Sequence, residues 1–424
     1  MSKILVRLAI LALAILLAMP ASAAKSTIVH LTGDHGQSMN DYLKAQAEIF
    51  NAQNPDIEVQ IEVVAGNYLN NAQVRMASGL PIDVLDSTST FTMLAHMDQL
   101  LDLAPFINRS PVANLNYLPS FALSTLTANG KLVGLPSQVF PQGVMYNKDI
   151  ITEAGLPTPK QLGEDWTWST LETMAKKLTR DLDGNNAIDI WGVDFARNLN
   201  RMDAAIWQAG GALYDRPLNP AKSLYNTEAA RIGFSFYANL VKNNVAPVKG
   251  VSLGASRNLA IYLHGQTNWI DRIKSSMDTW EVSIQPKGPA RRGTNVAFAP
   301  FHIWSQTKYP EAAWRWMEFL VFNYESMMKY AIATGRLPAF LPALQRMETY
   351  LTGDAKERNF ILDFRNVALD PDNYPRYLTA AQSTIDSIFS KEWSKVLSGQ
   401  QSVEMMLEMM HPLVQAELDT VNKE

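Results

Sequence analysis

Apolar positions recur along the chain in two alternating rhythms. Thr27, Ile28, Val29, His30 and Leu31 form a short run that reads as a strand, and a polar loop over 32–36 follows it. Met39, Tyr42, Leu43, Ala47 and Phe50 then return at intervals of three and four, which places them on one face of a helix. Ser38 stands in position to cap that helix, with Asp41 three residues on. Asn54-Pro55 stops it, and Ile57, Val59, Ile61 and Val63 alternate as in a strand. A second helix carries Val74 and Met76, ends at Ser78-Gly79, and gives way to an apolar strand over 81–85.

Strand, helix, strand, helix, strand calls for a mainly parallel sheet covered on both faces, whose ligand site lies beyond the carboxyl ends of the strands. The loops at 33–36 and 86–90 are therefore the first candidates for a site, through Asp34, His35, Gly36, Asp86 and Thr88.

Further on, 130–150 reads as a strand, an exposed irregular segment and a second strand, with Gln138, Phe140 and Gln142 in the break. Leu171, Met174, Ala175 and Leu178 share one helix face. Trp207 lies on a helix closed by Gly210 and Gly211, and Thr227 caps a helix with Ala230, Phe234, Tyr237 and Val241 inside. Pro310 opens a helix with Trp316, Met317 and Leu320 inward. The last helix carries Val403, Met406, Leu407, Met410 and Leu418, a stripe that reads as core packing.

At 424 residues and 47% apolar content the chain is long enough for two cores. A net charge of −4 gives no support to a nucleic-acid partner. With no cysteine, disulfides, thiolate nucleophiles and a lipid-anchoring thiol are excluded. Lys3 and Arg7 precede an apolar run from Leu8 to Met19 that ends in Ala21-Ser22-Ala23, so 1–23 reads as a cleaved signal peptide and the mature chain as periplasmic. Asp181, Asp183, Asn185 and Asp189 alternate like the first half of a calcium loop, although Gly192 stands where its last acidic ligand belongs. No other cofactor is expected.

Several segments, namely 50–55, 77–84, 155–159, 166–172 and the Pro-Glu-Ala-Ala-Trp run at 310–314, resemble the extracellular solute-binding proteins of ABC sugar importers, the maltose-binding-protein-like family. The resemblance spans nearly the whole mature chain. It implies an α/β, two-lobed periplasmic-binding-protein fold of type II with three crossings between lobes, near 138, 284 and 321–326. The lobes would be 24–137 plus 284–323 and 138–283 plus 324–424. It implies a monomer that captures a carbohydrate by hinge closure and delivers it to a membrane permease, without catalysis.

Sugar sites combine aromatic rings, which cover the CH face of a pyranose, with polar side chains that take hydroxyls. Family positions add Trp207, Asn268 and Trp269 to the candidates, and Arg336 sits in a Gly-Arg-Leu-Pro turn near the third crossing. Arg336 leaves room for an anionic sugar derivative or a glycerophosphodiester. Two other readings stay open: a secreted glycoside hydrolase using Asp34 and Asp86 as paired carboxylates, and a sensor subunit.

Overall fold

A computed structural model of the chain describes residues 25–86, 94, 98–251, 257–267 and 276–423. The opening alternation folds as β1 (Ser26–Gly33), α1 (Gln37–Gln53), β2 (Ile57–Val64), α2 (Tyr68–Ser78) and β3 (Val84–Asp86). β1 runs parallel to both β2 and β3, so all three strands point their carboxyl ends the same way. Helix α1 buries Met39, Tyr42, Leu43, Ala47 and Phe50 as the periodicity predicts. Its cap differs. Gly36, at φ 93°, precedes the helix and makes no side-chain cap, while Ser38 falls within the first turn. Asp34 closes the loop instead, accepting from the Gly36 N–H at 3.1 Å and from Asn40 Nδ2 at 3.0 Å.

Strand β4 (Leu135–Phe140) is continuous where an irregular segment was expected, and only Pro141 and Gln142 separate it from β5 (Gly143–Asn147). Pro136 sits opposite Pro300 at a register irregularity, so the missing N–H groups fall where the ladder is already broken. β4 belongs to the first sheet and β5 to the second. The second lobe continues with α3 (Trp168–Leu178), β6 (Trp191–Phe195), α4 (Leu199–Gln208), α5 (Glu228–Lys242), β7 (Leu259–Gly265) and β8 (Trp280–Ser283). The chain then returns as β9 (Asn295–Ile303) into the first sheet.

The two sheets are mixed rather than mainly parallel. In the first, β9 is antiparallel to both β3 and β4, because a strand entering from the other lobe must run against strands that head toward it. The second sheet has the order β8-β5-β7-β6, with only the β6–β7 pair parallel.

The third crossing also falls later than the sequence suggests. After α6 (Pro310–Phe322), α7 (Tyr324–Thr334) packs on α1 through Tyr42, whose hydroxyl meets Ser326 Oγ at 2.9 Å. β10 (Leu337–Pro338) pairs with β4 in the first sheet. Residues 324–338 thus belong to the first lobe. The apolar face of α7 finds its partner nearly 300 residues upstream in the chain, which local periodicity cannot reveal. Helix α8 (Ala355–Ala368) then straddles the hinge, where Asp363 accepts from the Val282 N–H and from Lys160 Nζ. β11 (Tyr374–Pro375) pairs with the start of β9. α9 (Gln382–Leu397) and α10 (Val403–Val421) complete the second core, with the methionine stripe of α10 buried. Among the described residues no helix is long and apolar enough to cross a membrane.

Candidate functional site

Between the lobes lies a cavity of about 890 Å³. The first lobe lines it with His35 and Ser38 at the start of α1, Gln138 and Phe140 on β4, Phe298 on β9, and the end of α7 through Arg336. The far wall comes from Gln266 and Thr267 after β7, Glu357, Arg358 and Ile361 on α8, and Arg376 and Leu378 after β11. Because the cavity is walled from both sides, a solute held there touches both lobes at once.

Several polar wall residues are held by hydrogen bonds to the surrounding fold. Gln138, 4% exposed, accepts a hydrogen bond at Oε1 from the Tyr330 hydroxyl. Arg336 donates from Nη2 to the His35 carbonyl at 3.1 Å. Gln266 accepts from Arg201 Nη2 at 2.7 Å, and Arg201 also donates to the His264 carbonyl. Beneath His35, Asp86 accepts from Thr32 Oγ1 at 2.6 Å, from the Gly33 N–H at 3.1 Å, and lies 3.2 Å from His35 Nε2. That hydrogen bond holds the His35 pKa above its usual value, against burial.

A second polar network fills the hinge behind the cavity. Gln142, between β4 and β5, donates from Nε2 to Asn295 Oδ1 at 2.6 Å, and Asn295 Nδ2 donates to Asp203 Oδ1 on α4 at 2.6 Å. Gln285 Nε2 donates back to the Gln142 carbonyl at 2.9 Å. Gln142, Gln285 and Asn295 flank the first two crossings, so these bonds tie one crossing to the other. Burial pushes the Asp203 carboxyl up to about 7, against the donated bond from Asn295.

Of the residues singled out from sequence, the structure brings His35, Gln138, Phe140 and Arg336 together in the cavity. Asp86 is 5% exposed and acts from below, through His35. Asp34 is exposed and serves its own loop, as does the Gly36 turn. Neither carboxylate lines the cavity: Asp86 is enclosed by its donors, and Asp34 is used by its own loop.

Trp207 does not line the cavity. Its ring stacks on Tyr374 with centroids 4.6 Å apart, lies under the Arg291 guanidinium at 3.7 Å, and donates from Nε1 to the Asp372 carbonyl at 2.7 Å. Gly210, at φ 91°, ends α4, and a Cβ on Gly211 would lie 2.3 Å from Ala229 Cβ, so the pair serves chain reversal and close packing. Thr88, Asn268 and Trp269 lie outside the described residues.

Asp181, Asp183 and Asp189 do place carboxylate oxygens within 4.8 Å of one another. The loop's own backbone uses them: Gly184 and Asn186 donate to Asp181, Asn185 to Asp183, and Leu182 to Asp189. Asn185 accepts from the Ala187 N–H at 2.7 Å, so the same side chains also stitch the turn between α3 and β6.

Sequence reading missed Arg358 and Arg376. Arg376 stands in a Pro-Arg-Tyr segment without periodicity, and Arg358 in a charged helix start that resembles a solvated surface. Gln266 and Thr267 carried a faint signal, being next to the Asn268-Trp269 candidates.

The fold is thus two α/β lobes joined by repeated chain crossings, with a cavity walled from both sides. The chain belongs to the family described as bacterial extracellular solute-binding protein, which it matches over residues 32–323. It is 21% identical over 341 residues to a binding protein of Brucella abortus, covering 76% of this chain and 78% of the relative. To the mannitol-binding protein of Pseudomonas aeruginosa it is 24% identical over 277 residues, 62% of this chain and 59% of that protein. In fold it is similar to the cyclic alpha-maltosyl-1,6-maltose binding protein of Arthrobacter globiformis, with a TM-score of 0.77, 19% identity, and coverage of 93% of this chain and 100% of that one. The sugar-binding protein MalE of Xanthomonas citri gives a TM-score of 0.77 at 18% identity, covering 93% of this chain and 98% of that one.

Proposed function

We propose that the protein is the periplasmic receptor of an ABC importer, which traps a carbohydrate or polyol between its lobes and presents it to a membrane permease. The observation that carries this reading is the 890 Å³ cavity walled by both lobes across a polar hinge. Contacts from both walls to one solute exist together only when the lobes are closed, so binding shifts the open–closed population by the free energy of those contacts. The closed form is the one that docks on the permease.

The family membership supports extracellular solute capture, and the names of the mannitol- and maltose-type relatives support a polyhydroxylated ligand. The wall suits one: Gln138, Gln266, Thr267 and Thr334 offer short polar groups to hydroxyls, while Phe140 and Phe298 offer rings. The basic and apolar leader ending in Ala21-Ser22-Ala23 supports export to the periplasm. A thermal-shift screen of sugars, polyols and their acids tests the reading. Ligands that bind only the folded state raise the melting temperature, and a panel with no active member rejects the carbohydrate assignment. Deleting the gene should abolish uptake of the active compound, and that compound should be recovered unaltered after incubation with purified protein.

A further inference from the structure

Three arginines from separate segments converge on the cavity: Arg336 after α7, Arg358 on α8 and Arg376 after β11. Glu357 is the one carboxylate among the described lining residues, and His35, which also lines the cavity, is already partnered by Asp86 at 3.2 Å. Among the described residues none of the three arginines forms an ion pair. Arg336 spends one N–H on the His35 carbonyl, and Arg376 has a buried Nε without a hydrogen-bond partner. Such a cluster in a chain of net charge −4 is a local inversion of the overall charge. Against three guanidinium groups the described lining sets one carboxylate, Glu357, while Asp203 and Asp386 interact electrostatically with Arg376; a forked anion relieves the repulsion that remains and fills the free donors.

Helix α1 reinforces the same sign. It presents its N-terminal end at Ser38, has no acidic residue in its first turn and no side-chain cap. The end of α7, at Ile332 to Thr334, brings carbonyl acceptors to the same cavity, which suit hydroxyl donors rather than a second anion. Among the described lining residues the rings are Phe140 and Phe298, a sparse platform for a neutral oligosaccharide.

We infer that the solute is a polyhydroxylated anion, a sugar or polyol bearing a carboxylate or phosphate, whose acidic group is taken by Arg336, Arg358 and Arg376. This rests on the receptor reading above and narrows its ligand class. The experiment is isothermal titration of the ligand-stripped full chain with matched pairs: mannitol and mannonate, galactose and galacturonate, glucose and glucose 1-phosphate. In at least one pair the acid should bind about tenfold tighter or more, and added salt should weaken the acid far more than its neutral partner. The carboxylate and phosphate arms separate the two sources of charge. Arg376→Gln or Arg358→Gln should weaken the acid far more than its neutral partner, bringing the ratio of their affinities close to one. Melting curves check that each variant folds, and the wild-type ratio decides the matter even if a variant does not. Neutral members binding as tightly as their acids, or tighter, overturn the anion inference and leave the receptor reading standing. No binding by any member overturns both.

Discussion

Tyr330 donates its phenol hydrogen to the side-chain oxygen of Gln138, across 192 residues of chain. Both groups are buried, and the bond fixes which end of the Gln138 amide faces outward: Oε1 is taken from behind, which turns the donor end toward the cavity. Tyr330 is thus a positioning residue. Tyr330→Phe should weaken binding of the best ligand by roughly three- to tenfold, because a free amide must then be ordered at the moment of binding. The stability cost should stay near 1 kcal/mol, the net worth of one hydrogen bond. Titration calorimetry beside urea denaturation separates the two effects. A large loss of stability with unchanged affinity would show the bond to be structural only.

Trp207 leads to the opposite expectation. Its ring is held between Tyr374 and the Arg291 guanidinium, with Nε1 bound to the Asp372 carbonyl, so its energy is already spent within the fold. Trp207→Ala should lower unfolding stability by roughly 2–4 kcal/mol through lost packing and the cation–π contact. Affinity should change by less than about threefold, whereas Phe140→Ala, at the cavity wall, should weaken binding by roughly 1–2 kcal/mol. Equal effects of the two substitutions on affinity would contradict this assignment.

These two rings show what was legible in the sequence. Helix faces such as Ala230, Phe234 and Tyr237 on α5 could be read because an amphipathic period is local, and all three are buried. His35, Gln138 and Arg336 could be flagged because loops after strands and crossings between lobes are where ligands are met. Trp207 carried the same local features as a binding ring, next to a glycine pair. What decides its role is Asp372 and Tyr374, whose approach depends on the third return of the chain. For the same reason the lobe that holds α7 cannot be read from its local sequence. Arg376 shows the converse: an arginine's role follows from whether a carboxylate stands near it in space, and nothing in its neighbours states that.

The hinge makes a prediction of its own. Gln142 joins Asn295 through its side chain and Gln285 through its carbonyl, so the first two crossings are tied together by hydrogen bonds. Gln142→Leu keeps the bulk but strands the Asn295 amide oxygen in a buried site, and should cost roughly 1–3 kcal/mol. It should also decouple the crossings. Small-angle scattering without ligand should then show a broader spread of lobe separations than in the parent. An unchanged profile would mean that the backbone alone sets the hinge.

Asp203 gives a signed pH dependence. Its folded pKa of about 7 lies above the reference value of 3.8, chiefly because burial disfavours the carboxylate. Between those two values the native state holds a proton that the unfolded state has lost. Unfolding stability from this group is therefore complete below 3.8 and declines as pH rises toward 7. Burial acts in the other direction on His30, His264 and His302, held near 4, 3 and 4, since each is neutral in the fold and must stay so. Their contribution is complete above their ordinary value of 6.5 and is lost progressively as pH falls from there through the folded values, so the parent's overall profile mixes both signs. The Asp203→Asn variant isolates one. Asparagine imitates the protonated acid and can still accept from Asn295 Nδ2, without a charge to bury. The variant should be more stable than the parent at about pH 8, by at most about 4 kcal/mol, and nearly equal to it at about pH 4. Urea denaturation across that range measures the difference directly. A gap that is constant with pH, or that widens toward acid, would mean that Asp203 is ionised in the fold and held by its neighbours.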